Sequence, residues 1–205
     1  MITGAIVEAA SESVDYVVFR YVNGLAGRNA ILDALMIGSA KYLPFVFALV
    51  LVGLWISWRP RNQQAAFLAG ASALIALAVG QVIGKLLPRP RPYLSHAVTQ
   101  LIPRSLDTSF PSDHAILGFA IAVMIFAFNR RMGIVLLCLA VLMSFARVFV
   151  GAHYPGDVIG GSILGAVSSM GLSWLAQRRP IETILTAFFA MLRRFRVAAA
   201  SEAGR

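Results

Sequence analysis

Apolar and polar positions alternate along this chain in long blocks, not in the short periods of soluble helices or strands. Five apolar runs occupy roughly residues 42–58, 64–87, 113–128, 132–150 and 156–177, with charged residues or proline at or near most of their ends. A helix needs about 20 residues, with a range of about 17–25, to cross the hydrocarbon of a bilayer. All five runs reach or approach that length, so they predict five membrane-crossing helices. Trp55, Trp58 and Trp174 stand near run ends, as interfacial aromatics do. Gly156, Gly160, Gly161 and Gly165 recur at helical spacing in the fifth run and predict a close approach by another helix.

Residues 11–40 are patterned differently. Val17-Val-Phe19 and the stretch 31–36 are apolar, but Glu12, Asp15, Arg20, Arg28 and Asp33 interrupt them. This predicts one or two short helices lying at the membrane interface. The alternative joins residues 29–40 to the first span and lengthens it. After Pro180 an apolar tail carries Arg193, Arg194 and Arg196, which predicts a basic amphipathic helix on the cytoplasmic leaflet or a solvated tail. The expected fold class is an all-α integral membrane protein. It is a helical bundle of five to six transmembrane helices in a single domain. Residues 1–41 form an interfacial N-terminal segment, 42–177 the transmembrane core and 178–205 a cytoplasmic basic tail.

Composition agrees. The chain is 59% hydrophobic and 13% charged, against about 25% charged in a soluble domain. A single soluble core is excluded. The net charge of +9 does not point to nucleic acid, because the basic residues gather at the ends of apolar runs. They act there as topology signals. Arg59 and Arg61, then Arg130 and Arg131, then Arg178 and Arg179 follow alternate spans. They share one side, which the positive-inside rule makes cytoplasmic. Loop 88–112, turn 151–155 and the N-terminus then lie outside. Arg89, Arg91 and Arg104 in that outer loop run against the rule, so function is expected to keep them. The N-terminus lacks the pattern of a signal peptide. The single cysteine, Cys138, permits no intramolecular disulfide and reads as helix packing.

Three polar clusters fall at the outer ends of the runs. Lys85-Leu-Leu-Pro-Arg89-Pro-Arg91-Pro92 closes the second run with helix-stopping prolines. Lys85 and Arg91 suit an anionic oxygen cluster, since guanidinium matches phosphate bidentately. Snorkelling at a helix end is the plainer reading. Ser109-Phe-Pro-Ser112-Asp113-His114 opens the third run, with Ser112 as a natural N-cap. The first-turn amides form an anion site beside His114. Arg147-Val-Phe-Val-Gly-Ala-His153-Tyr-Pro-Gly-Asp157 links the fourth and fifth runs. His153 and Asp157 stand four apart, so on one helical face the carboxylate reaches the imidazole and sets its tautomer. A purely structural pair remains the alternative. His96, the third histidine, has no obvious partner.

Together the clusters resemble the type 2 phosphatidic acid phosphatase superfamily. Its motifs read here as Lys85…Arg91-Pro92, Pro111-Ser112-Asp113-His114, and Arg147 with His153 and Asp157. Three departures stand out. Five residues separate Lys85 from Arg91, Asp113 replaces the usual Gly, and Ala146 replaces the usual Ser. The first two resemble the undecaprenyl-diphosphatase branch of the bacitracin-resistance type. The resemblance implies His153 as nucleophile through a phosphohistidine, Asp157 as its orienting partner, and His114 as general acid. It implies Lys85, Arg91, Ser112, Asp113 and Arg147 around the phosphate. The role of Asp113 stays open: it pairs with Lys85 or an Arg, or places a water. No metal and no cofactor is implied, and the few carboxylates fit no Mg²⁺ site. The implied partners are membrane lipids and a polyprenyl diphosphate or another phosphorylated lipid. The implied location is a bacterial inner membrane with the site facing outward. Other substrates (phosphatidylglycerophosphate, phosphatidic acid, lipid A phosphate), a phosphotransferase and a non-catalytic lipid-phosphate binder or transporter are the alternatives. Oligomeric state is not legible.

Overall fold

The computed structural model describes residues 13–105 and 107–178, together with 187, 188 and 191. The amphipathic helix expected for the basic tail lies almost wholly outside these residues. Seven helices are described: α1 Val14–Asn23, α2 Ala30–Ile56, α3 Pro60–Leu86, α4 Pro92–Ser95, α5 Asp113–Phe128, α6 Arg130–Phe149 and α7 Pro155–Ala176. Four of them (α2, α3, α6 and α7) are long and apolar enough to cross a membrane, and α5 is a shorter apolar helix of 16 residues.

The N-terminal region follows the alternative reading. Residues 30–40 do not form a separate short helix; they are the first part of the 27-residue α2. The reason is local. Asn29 caps the helix by accepting from the Ile31 and Leu32 amides. Asp33, one of the charges that interrupt the apolar pattern, sits in the first turn, where a carboxylate suits the helix dipole. Asp33 also accepts from the Gly27 amide at 3.0 Å. Only α1 remains as a separate short helix, capped by Ser13 and burying Phe19 and Asn23. Asn23 ties it down by donating to the carbonyls of Thr99 and Phe149 at 2.7 and 2.8 Å.

Helix α5 is the centre of the bundle and packs against α3, α6 and α7. Two glycines make the α7 contact possible. A Cβ on Gly165 would stand 2.4 Å from the Ile116 carbonyl oxygen, and one on Gly161 would stand 2.6 Å from that of Ser112. Backbone cannot yield as a side chain does, so only glycine fits. Midway along, Ser169 donates to the Ala120 carbonyl and lies 3.0 Å from Ser72 Oγ, linking α7, α5 and α3 by hydrogen bonds of the kind polar residues make between membrane helices. The outer faces are apolar: Ile159, Ile163, Val167, Met170 and Trp174 are exposed along one side of α7. Cys138 also lies exposed on α6, so it does not pack between helices as its apolar run suggested.

The two ends of the bundle differ. Arg61 donates to the Phe128 carbonyl at 2.9 Å, bringing the α2–α3 and α5–α6 turns together. A cavity at this end is lined by residues of α3, α5 and α7, including Arg61, Phe128 and Gln177. The three basic connections therefore share one end, with Trp55, Trp58 and Trp174 near it. The opposite end gathers loop 88–112 and turn 151–154.

Candidate active site

Turn 151–154 is built by interrupting a helix. The amides of Ala152 and His153 both donate to the Arg147 carbonyl, and Gly151 takes a φ of +82° that favours glycine. Pro155 then starts α7 at its first turn, where its missing N–H costs nothing. This arrangement leaves His153 outside both helices, 2% exposed.

The His153 ring has a fixed tautomer. Its Nδ1 lies 2.8 Å from the Ser109 carbonyl oxygen. A carbonyl can only accept, so Nδ1 carries the proton and Nε2 the lone pair. Nε2 faces Arg91 Nη1 at 3.2 Å and Arg147 Nη2 at 3.5 Å. Burial is the main influence on the ring and lowers its pKa from 6.5 to about 4; Asp157 opposes this, while Arg147 and Arg91 add to it.

The expected His153–Asp157 hydrogen bond does not form. Asp157 Oδ2 is 3.8 Å from His153 Nδ1. The four-residue spacing would join them only within one helix, and His153 precedes α7. Asp157 instead turns back to accept from the Tyr154 amide at 2.8 Å, as a capping residue does. Ser109 Oγ donates to the same carboxylate oxygen at 2.5 Å. Arg89 donates to the other oxygen at 2.8 Å. Ser109 thus holds the imidazole with its carbonyl and the carboxylate with its hydroxyl. Asp157 acts on the ring through space.

A cavity of about 150 Å³ opens in front of His153. Arg91, Arg147, Asp113, His114, Gln81 and Asp107 all line it. Arg91 is held by Asp107 Oδ1 at 2.9 Å and by the Ala152 carbonyl at 3.1 Å. Asp107 takes a further bond from the Ser105 hydroxyl. Burial would raise the Asp107 pKa, but the bonds from Ser105 and Arg91 outweigh it and lower it. Arg147 is 8% exposed and makes no ion pair among the described residues, and its Nε has no hydrogen-bond partner in the protein. Ser112 Oγ is likewise buried and unpartnered. A buried guanidinium is costly without an anion. These donors suit the oxygens of a phosphoryl group.

Of the residues expected to converge, Arg91, Asp113, His114, Arg147 and His153 do so around the cavity. Ser112 sits at the N-cap position of α5 but makes no side-chain cap bond. Asp157 is fully buried behind His153. Lys85 does not join them: it is exposed, one turn beyond Gln81 on α3, and does not line the cavity. The prolines after residue 87 carry the chain over the site and leave Lys85 on the helix. Asp113 pairs with neither Lys85 nor an Arg; Gln81 donates to its carboxylate at 3.1 and 3.2 Å.

Sequence reasoning missed several neighbours. Gln81 was legible as an amide deep in an apolar run. Arg89 was flagged by its place on the wrong side for the charge rule. Ser109 lay within a quoted cluster without a role. Asp15 and Asp107 carried no local signal. His96 has partners after all: its ring stacks on Tyr16, centroids 3.8 Å apart, and meets Tyr154 edge-on at 6.2 Å.

The chain is similar to known proteins in sequence and in fold. Undecaprenyl-diphosphatase BcrC of Bacillus subtilis (strain 168) is 32% identical over 154 residues, covering 75% of this chain and 80% of that protein. The crystal structure of Aquifex aeolicus LpxE superposes with a TM-score of 0.68 at 23% identity, covering 79% of this chain and 96% of that one. The first transmembrane PAP2 type phosphatidylglycerolphosphate phosphatase from Bacillus subtilis superposes with a TM-score of 0.62 at 19% identity, covering 83% and 90%. The model of the PAP2 superfamily matches residues 65–181, more than half of the chain, and the protein belongs to that superfamily.

Proposed function

We propose that this membrane phosphatase hydrolyses undecaprenyl diphosphate to the monophosphate and inorganic phosphate through a phosphohistidine on His153. The protein is a multi-pass membrane hydrolase of the PAP2 type. The observation that carries the finer reading is the His153 imidazole itself. Its proton is held on Nδ1, and its Nε2 lone pair faces two guanidinium groups in a cavity at one end of the bundle.

In this reading Nε2 attacks the terminal phosphorus. The bond to the bridging oxygen breaks, and the lipid phosphate leaves with the proton of His114. Water then attacks the phosphohistidine while His114 takes a proton from it, releasing phosphate and restoring the ring. A positioned acid–base group of this kind contributes roughly 10²–10⁴-fold. Arg91, Arg147 and Ser112 hold the phosphoryl oxygens and stabilise the charge that develops on them. Lys85, exposed on α3 outside the cavity, meets the headgroup from outside. Asp157 stabilises the cationic ring across 3.8 Å. Asp113, held by Gln81, forms part of the wall beside the phosphate. The arginines supply the positive charge, so the scheme calls for no metal.

The site end faces the periplasm or cell exterior of a bacterial inner membrane, because the basic connections share the other end. Residues 1–205 act as one domain. The similarity to an undecaprenyl-diphosphatase over most of both chains supports the lipid diphosphate as substrate. The test is phosphate release by purified protein from undecaprenyl diphosphate, phosphatidic acid and phosphatidylglycerophosphate side by side. A clear preference for the diphosphate is expected. Preference for either glycerolipid overturns the substrate, and normal turnover by His153→Ala overturns the nucleophile.

A further inference from the structure

The bonds around Asp157 do not stop at Arg89. The Arg89 guanidinium forks: Nη1 goes to Asp157 at 2.8 Å and Nη2 to Asp15 of α1 at 2.6 Å. The same guanidinium lies 4.1 Å over the Tyr154 ring. Asp15 then reaches past it, accepting from the Gly156 amide in the first turn of α7 at 2.7 Å. A Cβ on Gly156 would stand 3.0 Å from Asp15 Oδ2, so the approach is close. One residue of α1 therefore grips both Arg89 and the helix that carries Asp157. The family match begins at residue 65, so Asp15 lies outside it.

We infer that Asp15 and Arg89 are positioning residues of the active site, and that α1 is a working part of it through the relay Asp15–Arg89–Asp157. The relay does two things. It fixes the carboxylate of Asp157 and the start of α7, hence the turn that aims His153. It also sets how much negative charge His153 feels. Arg89 offsets the charge of Asp157, and Asp15 in turn offsets Arg89. The contacts agree with a strong ionic link: burial alone would lower the Arg89 pKa, but Asp15 and Asp157 outweigh it and raise it. The other charged or titratable groups facing the cavity at His153 are Arg91 and Asp107 from the loop before α5, Asp113 and His114 from α5, Arg147 from α6 and Asp157 from α7.

The signs follow from charge. Neutralising Asp15 leaves Arg89 free to offset Asp157 more fully, so the protonated ring is disfavoured and its pKa falls. Neutralising Arg89 exposes the charge of Asp157, so the ring pKa rises. A merely structural role gives no such opposite pair.

This inference rests on His153 being the nucleophile, and the experiment separates the two. Asp15→Asn, Arg89→Gln, Arg89→Lys and the Asp15→Asn/Arg89→Gln double variant are purified in detergent beside wild type. Size-exclusion profiles establish folding, and kcat and kcat/KM for undecaprenyl diphosphate are measured against pH. Each neutralising variant is expected to lose about 10- to 100-fold in kcat, the scale of a small misplacement of reacting groups, with KM little changed. The acid limb of kcat/KM is expected to move down in Asp15→Asn and up in Arg89→Gln. Arg89→Lys should recover part of the loss, and adding Asp15→Asn to Arg89→Gln should move the limb no further. Unchanged kcat and limb in folded single variants overturns the relay. Shifts in the same direction overturn its electrostatic part. A wild type that releases phosphate from none of the three lipids overturns the proposed function instead. If Arg89→Gln fails to fold, Asp15→Asn and Arg89→Lys carry the test alone.

Discussion

Ser109→Ala separates two jobs that the sequence assigned to one residue. Asp157 was expected to orient His153 by a direct bond. In the structure the orienting bond comes from the Ser109 backbone carbonyl at 2.8 Å, and Asp157 stands 3.8 Å away. The alanine variant keeps the carbonyl and removes only the hydroxyl that donates to Asp157. Asp157 retains Arg89 and the Tyr154 amide as donors. A hydrogen bond to a charged group contributes about 1.5–3 kcal/mol, and about 1.36 kcal/mol is tenfold in rate, so the ceiling on the loss is about 10- to 150-fold. Asp157→Asn should lose more, because it removes the charge beside the ring and sets an amide N–H against one of its donors. It should still lose less than the roughly 10⁴-fold that follows when a carboxylate itself sets the histidine tautomer. The assay is phosphate release in detergent micelles, with kcat and KM for each variant and thermal unfolding as the control. Two results would refute the reasoning. One is a loss in Ser109→Ala as large as in His153→Ala. The other is a loss in Asp157→Asn at or beyond that 10⁴-fold scale in a folded protein.

Three further outcomes are expected. Only unprotonated Nε2 attacks, so the limb of kcat/KM that His153 sets should fall as pH drops through about 4; an acid limb at 6.5 or above would show that burial does not govern the ring. Gly165→Ala drives a methyl into the Ile116 carbonyl and the Ala120 amide, at 2.4 and 2.9 Å. Overpacking of this kind costs about 1–3 kcal/mol, so a lower thermal midpoint is expected, and an unchanged one would mean that α5 and α7 can part. Turnover should persist in excess chelator, whereas complete loss restored by Mg²⁺ would replace the arginine-based scheme with a metal-based one.

What the sequence determined by itself is what one-dimensional pattern can carry. Runs of apolar residues specify membrane helices because lipid demands internal hydrogen bonding over a fixed length. Prolines and caps at run ends placed α3, α5 and α7 within a few residues. The motif residues Arg91, Asp113, His114, Arg147 and His153 were legible because charge in an apolar chain needs a reason. Tertiary structure decided the rest, and the physical reason is that partners distant in sequence meet only when helices pack. Whether residues 30–40 form a helix of their own or join α2 turned on one cap at Asn29. Lys85 stayed at the rim because the chain leaves the helix after it. Asp157 lost its expected bond because His153 precedes α7, and found Ser109 and Arg89 instead, 48 and 68 residues away in sequence. Asp15 is the extreme case: a carboxylate in an unremarkable N-terminal segment that reaches Gly156, 141 residues further along. No local pattern encodes such a contact; packing of α1 against the mouth of the bundle creates it.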